Sequence, residues 1–140
     1  INECDLLEYL ANDNSTKIIV CYFEGVRDGK RFLKIASKIT RKKPIIALKA
    51  GKSKSGARAA MSHTAAMAGS AVAYEAAFRQ ARVTEAETLE ELFDFAKMFS
   101  QPICCGKRIA IITNGGGNGV LSADSADKYG LELSKYSEQT

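Results

Sequence analysis

The chain has 140 residues, 46% hydrophobic and 26% charged, with a net charge of +4. That is ordinary for a globular protein of one modest domain or pieces of two. No apolar run reaches the length of a membrane span, and the basic residues are interleaved with acids, so neither a membrane nor a nucleic acid is expected as a partner. In chain order, residues 1–12 read as a helix, with Leu6, Leu7 and Leu10 on one face and Asn2 as its cap. Residues 12–15 are turn chemistry. Residues 17–23 form an apolar run rich in β-branched side chains, the pattern of a strand covered on both faces, ended by Glu24 and Gly25. A helix over 27–40 turns Phe32, Ile35, Ala36 and Ile39 inward, and Lys42, Lys43 and Pro44 break it. Residues 44–49 read as a second buried strand.

Residues 70–81 read as a helix with Val72, Ala76 and Phe78 on a mixed apolar face. Val83 and Thr84 make a short edge strand, and a helix over 86–100 is expected to bury Leu89, Leu92, Phe93, Ala96 and Phe99. Alternating strands and helices with short connections imply βαβ units and a parallel sheet flanked by helices. Residues 101–106 read as a linker and 107–113 as a third buried strand. A glycine loop over 114–119, a helix over 120–128 ending at Gly130 and the start of a strand at 131–133 follow. The expected division is a domain over 1–100, a linker over 101–106, and over 107–140 the first βα unit of a following domain. The strands are too few for a complete doubly wound sheet, so the chain reads as a piece of a longer protein. Its open sheet would favour self-association.

The four cysteines, Cys4, Cys21, Cys104 and Cys105, make no C-x-x-C pair and have one histidine for company. No metal site is expected from them, and reduced thiols in a cytoplasmic setting are.

The stretch between the second strand and the helix at 70 carries the chemistry. It holds Lys49, Lys52, Lys54 and Arg58, many small residues, and the only histidine, His63. A glycine- and serine-rich loop entering a helix is where α/β proteins hold anions, on free N–H groups at the positive helix end. Imidazole is largely unprotonated at neutral pH and can accept and pass on a phosphoryl group. Spacing alone leaves open the plainer reading, a solvated loop histidine. Glu24, at the carboxyl end of its strand, can accept a hydrogen bond from one ring nitrogen and leave the other free to attack; it can equally be a surface acid.

Several separate motifs then carry a resemblance. Lys43-Pro-Ile-Ile-Ala-Leu-Lys-Ala-Gly-Lys-Ser53 with Gly56-Ala-Arg-Ala-Ala-Met-Ser-His-Thr-Ala-Ala-Met-Ala-Gly-Ser70 resembles the histidine loop of the ADP-forming (NDP-forming) acyl-CoA synthetases, relatives of succinyl-CoA synthetase. Tyr22-Phe-Glu-Gly-Val-Arg-Asp-Gly29 is similar to that family's Tyr-x-Glu-Gly-x-x-Asp-Gly segment. Residues 76–83 and 88–94 resemble its next two helices, and residues 111–120 its following Thr-Asn-x-Gly-Gly-x-Gly loop. The resemblance implies a flavodoxin-like fold and a phosphohistidine at His63 oriented by Glu24. It implies phosphate binding by Gly69 and Ser70, and by Asn114, Gly115, Gly116 and Gly117 of the second glycine loop. ATP or ADP with Mg, and CoA, would be substrates of the complete enzyme, whose ATP-grasp and CoA-binding Rossmann domains or subunits would be the partners; no cofactor would be bound by this chain itself. The sequence departs from the pattern at Ala65 and Ala71, where the family often has glycine and an acid. The alternative implied is a non-catalytic flavodoxin-like binding or regulatory module, like the degenerate synthetase halves of some protein acetyltransferases.

Overall fold

The computed structural model describes residues 1–53, 55, 56, 58, 70–102 and 106–137. They fall into two compact units, Ile1–Pro102 and Ile103–Thr140.

The first unit is built on three parallel strands in the order β1-β2-β3. These are β1 (Ile19–Phe23), β2 (Ile45–Lys49) and β3 (Thr84–Ala86). Helices α1 (Glu3–Asn12), α2 (Gly29–Ile39), α3 (Ala71–Ala81) and α4 (Leu89–Ser100) accompany them. β2 pairs in register from Ile45 opposite Ile19 to Lys49 opposite Phe23. All five of its residues are buried, as befits the middle strand of a sheet covered on both faces.

Alternation along β2 sorts its side chains to two cores. Ile45 and Ala47 join Phe23, Phe32, Phe78, Ile35 and Ile39 beneath α1, α2 and α3. Ile46 and Leu48 join Ala86 and Leu92 beneath α4. The first core is aromatic at its centre. The Phe23 and Phe32 rings meet edge to face with centroids 5.6 Å apart, and Phe78 lies 6.0 Å from Phe32.

The helix starts follow from local chemistry. Asn2 caps α1 in a capping box, accepting from the Cys4 and Asp5 N–H groups while Asp5 accepts from Asn2 N–H. Asp28 caps α2 through Arg31 N–H, and Thr88 caps α4 through Glu91 N–H. Arg31 also donates to Asp5 at 2.7 Å and Glu8 at 2.9 Å, tying α2 to α1. These contacts hold Asp5 below the usual carboxylate range, its own capping bond first and the guanidinium second.

Five expectations are corrected. β1 is not covered on both faces: Val20 and Tyr22 are 43% and 54% exposed, because α4 packs on β2 and β3 and nothing described covers β1 on that side. For the same reason Leu89, Phe93 and Phe99 are exposed, and α4 turns Leu92, Phe95 and Ala96 to the sheet instead. On α3 the buried residues are Phe78 and Ala81, and Val72 is exposed. In the second unit the strand expected over 107–113 is only β4 (Arg108–Ile109), paired in parallel with β5 (Glu132–Leu133). It is not buried, and Ile112 beyond it is almost fully exposed. The glycine loop is also shorter than expected, since α5 (Gly116–Lys128) already begins inside it.

Cys21 lies in β1, and burial pushes its thiol up to about 11. Its thiolate fraction at pH 8 is therefore on the order of 0.1%, and alkylation should be slow until the unit unfolds. Peptide mapping after iodoacetamide, with and without denaturant, checks this. Replacing Phe32 by Ala, which empties the centre of the first core, should lower stability by about 3–5 kcal/mol in urea unfolding.

Candidate functional site

Parallel strands present their carboxyl ends at one edge, and that edge is where α/β sheets bind ligands. In the first unit three connections meet there: the turn after β1, the loop after β2, and the start of α3. Glu24, half-buried, is the first residue after β1. The chain leaves β2 at Ala50 and turns at Gly51, whose φ of 72° lies in the left-handed region that glycine adopts freely. Ser70 occupies the N-cap position of α3, exposed and without a side-chain capping bond. Its hydroxyl is thus not engaged in closing its own helix. Its carbonyl accepts from Ala73 and Tyr74 N–H.

These connections are tied together by a closed ring of contacts. Ala50 N–H donates to the Phe23 carbonyl at 2.9 Å. Three residues past Phe23, Val26 N–H donates to the Tyr74 hydroxyl at 2.8 Å. Tyr74 stands in the first turn of α3, and the Lys49 ammonium sits 4.8 Å from its ring centroid. Lys49 Nζ in turn donates to the Ala50 carbonyl. Lys49 is 4% exposed, and no carboxylate among the described residues lies within ion-pair distance of it. Burial pulls its ammonium below the usual lysine range, the Lys52 charge adds to that, and the Glu24 carboxylate works against it.

Lys52 is held differently. Its Nζ lies 2.6 Å from Glu85 Oε1 of β3, with both side chains largely buried. The hydrogen bond to Glu85 lifts Lys52 above the usual lysine range. So two of the basic residues expected to greet phosphate, Lys49 and Lys52, serve first to fix the base of the loop.

His63 and Gly69 lie outside the described residues. Asn114, Gly115, Gly116 and Gly117 belong to the second unit. There Gly115 is the N-cap of α5, and its N–H is held by the Thr113 hydroxyl at 3.1 Å. Gly116 and Gly117 open the first turn of that helix, exposed, with their N–H groups at its positive end. Of the residues expected from sequence, then, the first unit brings Glu24 and Ser70 to one edge. Tyr74 was not anticipated; its only signal was a polar aromatic near the start of the helix expected over 70–81. Among the described residues no group of three or more His, Cys, Asp or Glu side chains is placed to hold a metal, and no helix is long and apolar enough to cross a membrane.

Parallel strands flanked by helices, with an open edge at their carboxyl ends, are the architecture of a flavodoxin-like domain. The chain belongs to the succinyl-CoA ligase like flavodoxin domain family, whose model matches residues 1–99. Among its relatives is the alpha subunit of acetate–CoA ligase [ADP-forming] II of Pyrococcus furiosus, 54% identical over 97% of this chain and 30% of that protein. Acetate–CoA ligase [ADP-forming] of Methanocaldococcus jannaschii is 52% identical over all of this chain and 20% of its own length. Among solved structures, a dinucleotide-forming acetyl-coenzyme A synthetase 1 of Ca. Korarchaeum cryptofilum, in complex with phosphate and ADP, matches with a TM-score of 0.84 and 42% identity. The match covers 99% of this chain and 30% of that one. The chain therefore spans less than a third of the proteins it resembles.

The Lys52–Glu85 pair generates a pH prediction. Because Lys52 is raised in the folded state, its contribution is complete below the unfolded lysine value of about 10.4 and fades as pH rises through the higher folded value. Glu85→Gln should cost under about 1 kcal/mol at pH 8. The gap between variant and wild type in urea unfolding should close as pH is raised past that range.

Proposed function

We propose that this chain is the histidine-bearing part of an ADP-forming acyl-CoA synthetase, with acetate, by kinship, as the acid. The complete enzyme interconverts acyl-CoA, ADP and phosphate with acid, CoA and ATP. The observation that carries the reading is the placement of Glu24 beside Ala50, where the chain leaves β2, with Ser70 at the start of α3; His63 falls between these two points in the sequence.

In this reading phosphate attacks the acyl-CoA carbonyl, the C–S bond breaks, and CoA leaves with an acyl phosphate remaining. A ring nitrogen of His63 then attacks the phosphorus, the bond to the acyl oxygen breaks, and the carboxylate departs. The ADP β-phosphate oxygen takes the phosphoryl group from nitrogen, giving ATP and returning the imidazole. Glu24 accepts the hydrogen bond of the other ring nitrogen, which fixes the tautomer and makes the attacking nitrogen more basic. Ser70, Gly69 and the N–H groups at the start of α3 bear the charge of the phosphoryl group. Asn114 and Gly115 to Gly117, at the start of α5, offer a second helix end of the same kind. CoA binding and nucleotide binding are assigned to further domains or subunits, a Rossmann domain and an ATP-grasp domain with Mg. The setting proposed is cytoplasmic.

The test is phosphorylation of the complete enzyme with ATP and Mg, read by intact mass as one acid-labile phosphate. His63→Ala should abolish the label. Glu24→Gln should slow labelling by about 10- to 100-fold, the usual weight of a group that orients a reactive imidazole. A complete, folded enzyme that takes no label would reassign the domain as a non-catalytic binding module.

A further inference from the structure

We infer that Lys49 is a positioning residue for the phosphoryl-transfer step, because its buried ammonium closes the ring that holds the Glu24 turn, the root of the β2 loop and the first turn of α3 in one geometry. The inference rests on the proposed role of His63 as phosphate carrier.

The ring runs from Ala50 N–H to the Phe23 carbonyl, along the chain to Val26, from Val26 N–H to the Tyr74 hydroxyl, and from the Tyr74 ring through Lys49 Nζ back to the Ala50 carbonyl. Glu24 lies inside the Phe23–Val26 segment, so its backbone is pinned on both sides. A buried cation without a carboxylate partner is unfavourable. Methionine matches the length of the lysine stem and needs no solvation, so packing alone would favour it at this position. What only the cation supplies is the simultaneous hold on a carbonyl and a ring face, and that hold joins the three connections. An orienting carboxylate that moves by about an ångström loses much of its effect on rate.

The experiment compares wild type, Lys49→Met and Lys49→Arg in the complete enzyme. Each is followed by the single-turnover rate of His63 labelling, the KM for ADP, the thermal unfolding midpoint, and amide hydrogen exchange in peptides containing Val26 and Ala50. Lys49→Met should unfold no earlier than wild type, exchange faster at Val26 and Ala50, and label about 10- to 100-fold more slowly with KM unchanged. Lys49→Arg, which keeps a cation over the ring, should recover most of the rate. A Lys49→Met enzyme that labels at the wild-type rate overturns the inference and leaves the proposed function standing. So does a loss of rate that Arg does not relieve and that tracks a lowered midpoint, since that is a packing effect. A wild-type enzyme that takes no label overturns the proposed function first and this inference with it.

Discussion

The structure depends on the burial of β2. It is the strand that both neighbours pair with, and its five residues are closed off from water on both faces. Its side chains divide the unit into an aromatic core on one side and a smaller aliphatic one on the other. That constraint reaches the functional edge directly. The last residue of the strand is Lys49, so a position where the fold demands burial is filled by a charge. The surroundings respond with a carbonyl and a ring face, and those two partners belong to the very segments that the candidate site needs to hold together.

Much of this was legible in the order of residues, and the reasons for the rest are local. β2 and α2 read clearly because the apolar run Ile45 to Leu48 and a strict helical stripe leave few alternatives. Asn2 reads as a cap from its place before the apolar stripe, and the structure adds Asp5, which completes the capping box. β1 reads from sequence as covered on both faces because its exposed Val20 and Tyr22 continue the apolar run of its buried residues. Periodicity reports which residues tolerate burial, and what lies above the sheet decides whether they receive it. The same applies to Leu89 and Phe93 on α4, whose apolar surface is wider than the part of the sheet it covers. Glu24 reads as a sheet-edge residue from its place at a strand end, and Ser70 enters through the resemblance. Tyr74 does neither, since a hydroxyl accepting from a backbone 48 residues away leaves no trace in local sequence.

The second glycine-rich turn shows how far a motif can be read without its surroundings. The notion of an open glycine loop gives way to a helix that begins at Gly116, with Thr113 restraining the residue before it. A helix start and an open loop both present N–H groups. Only the helix start aligns them with a macrodipole, which favours an anion more strongly than a flexible loop does.

The outer edge of β1 has a consequence of another kind. A groove of about 950 Å³ runs beside it, lined by Ile1, Leu6, Leu10, Val20 and Tyr22 and reaching Glu24. Among the described strands β1 has a partner on one side only. A strand laid along it would extend the hydrogen-bonded ladder and cover apolar surface in the same step. The stability of this unit is therefore subject to mass action: whatever pairs with that edge binds the folded form and not the unfolded one, and the melting temperature becomes a function of its concentration.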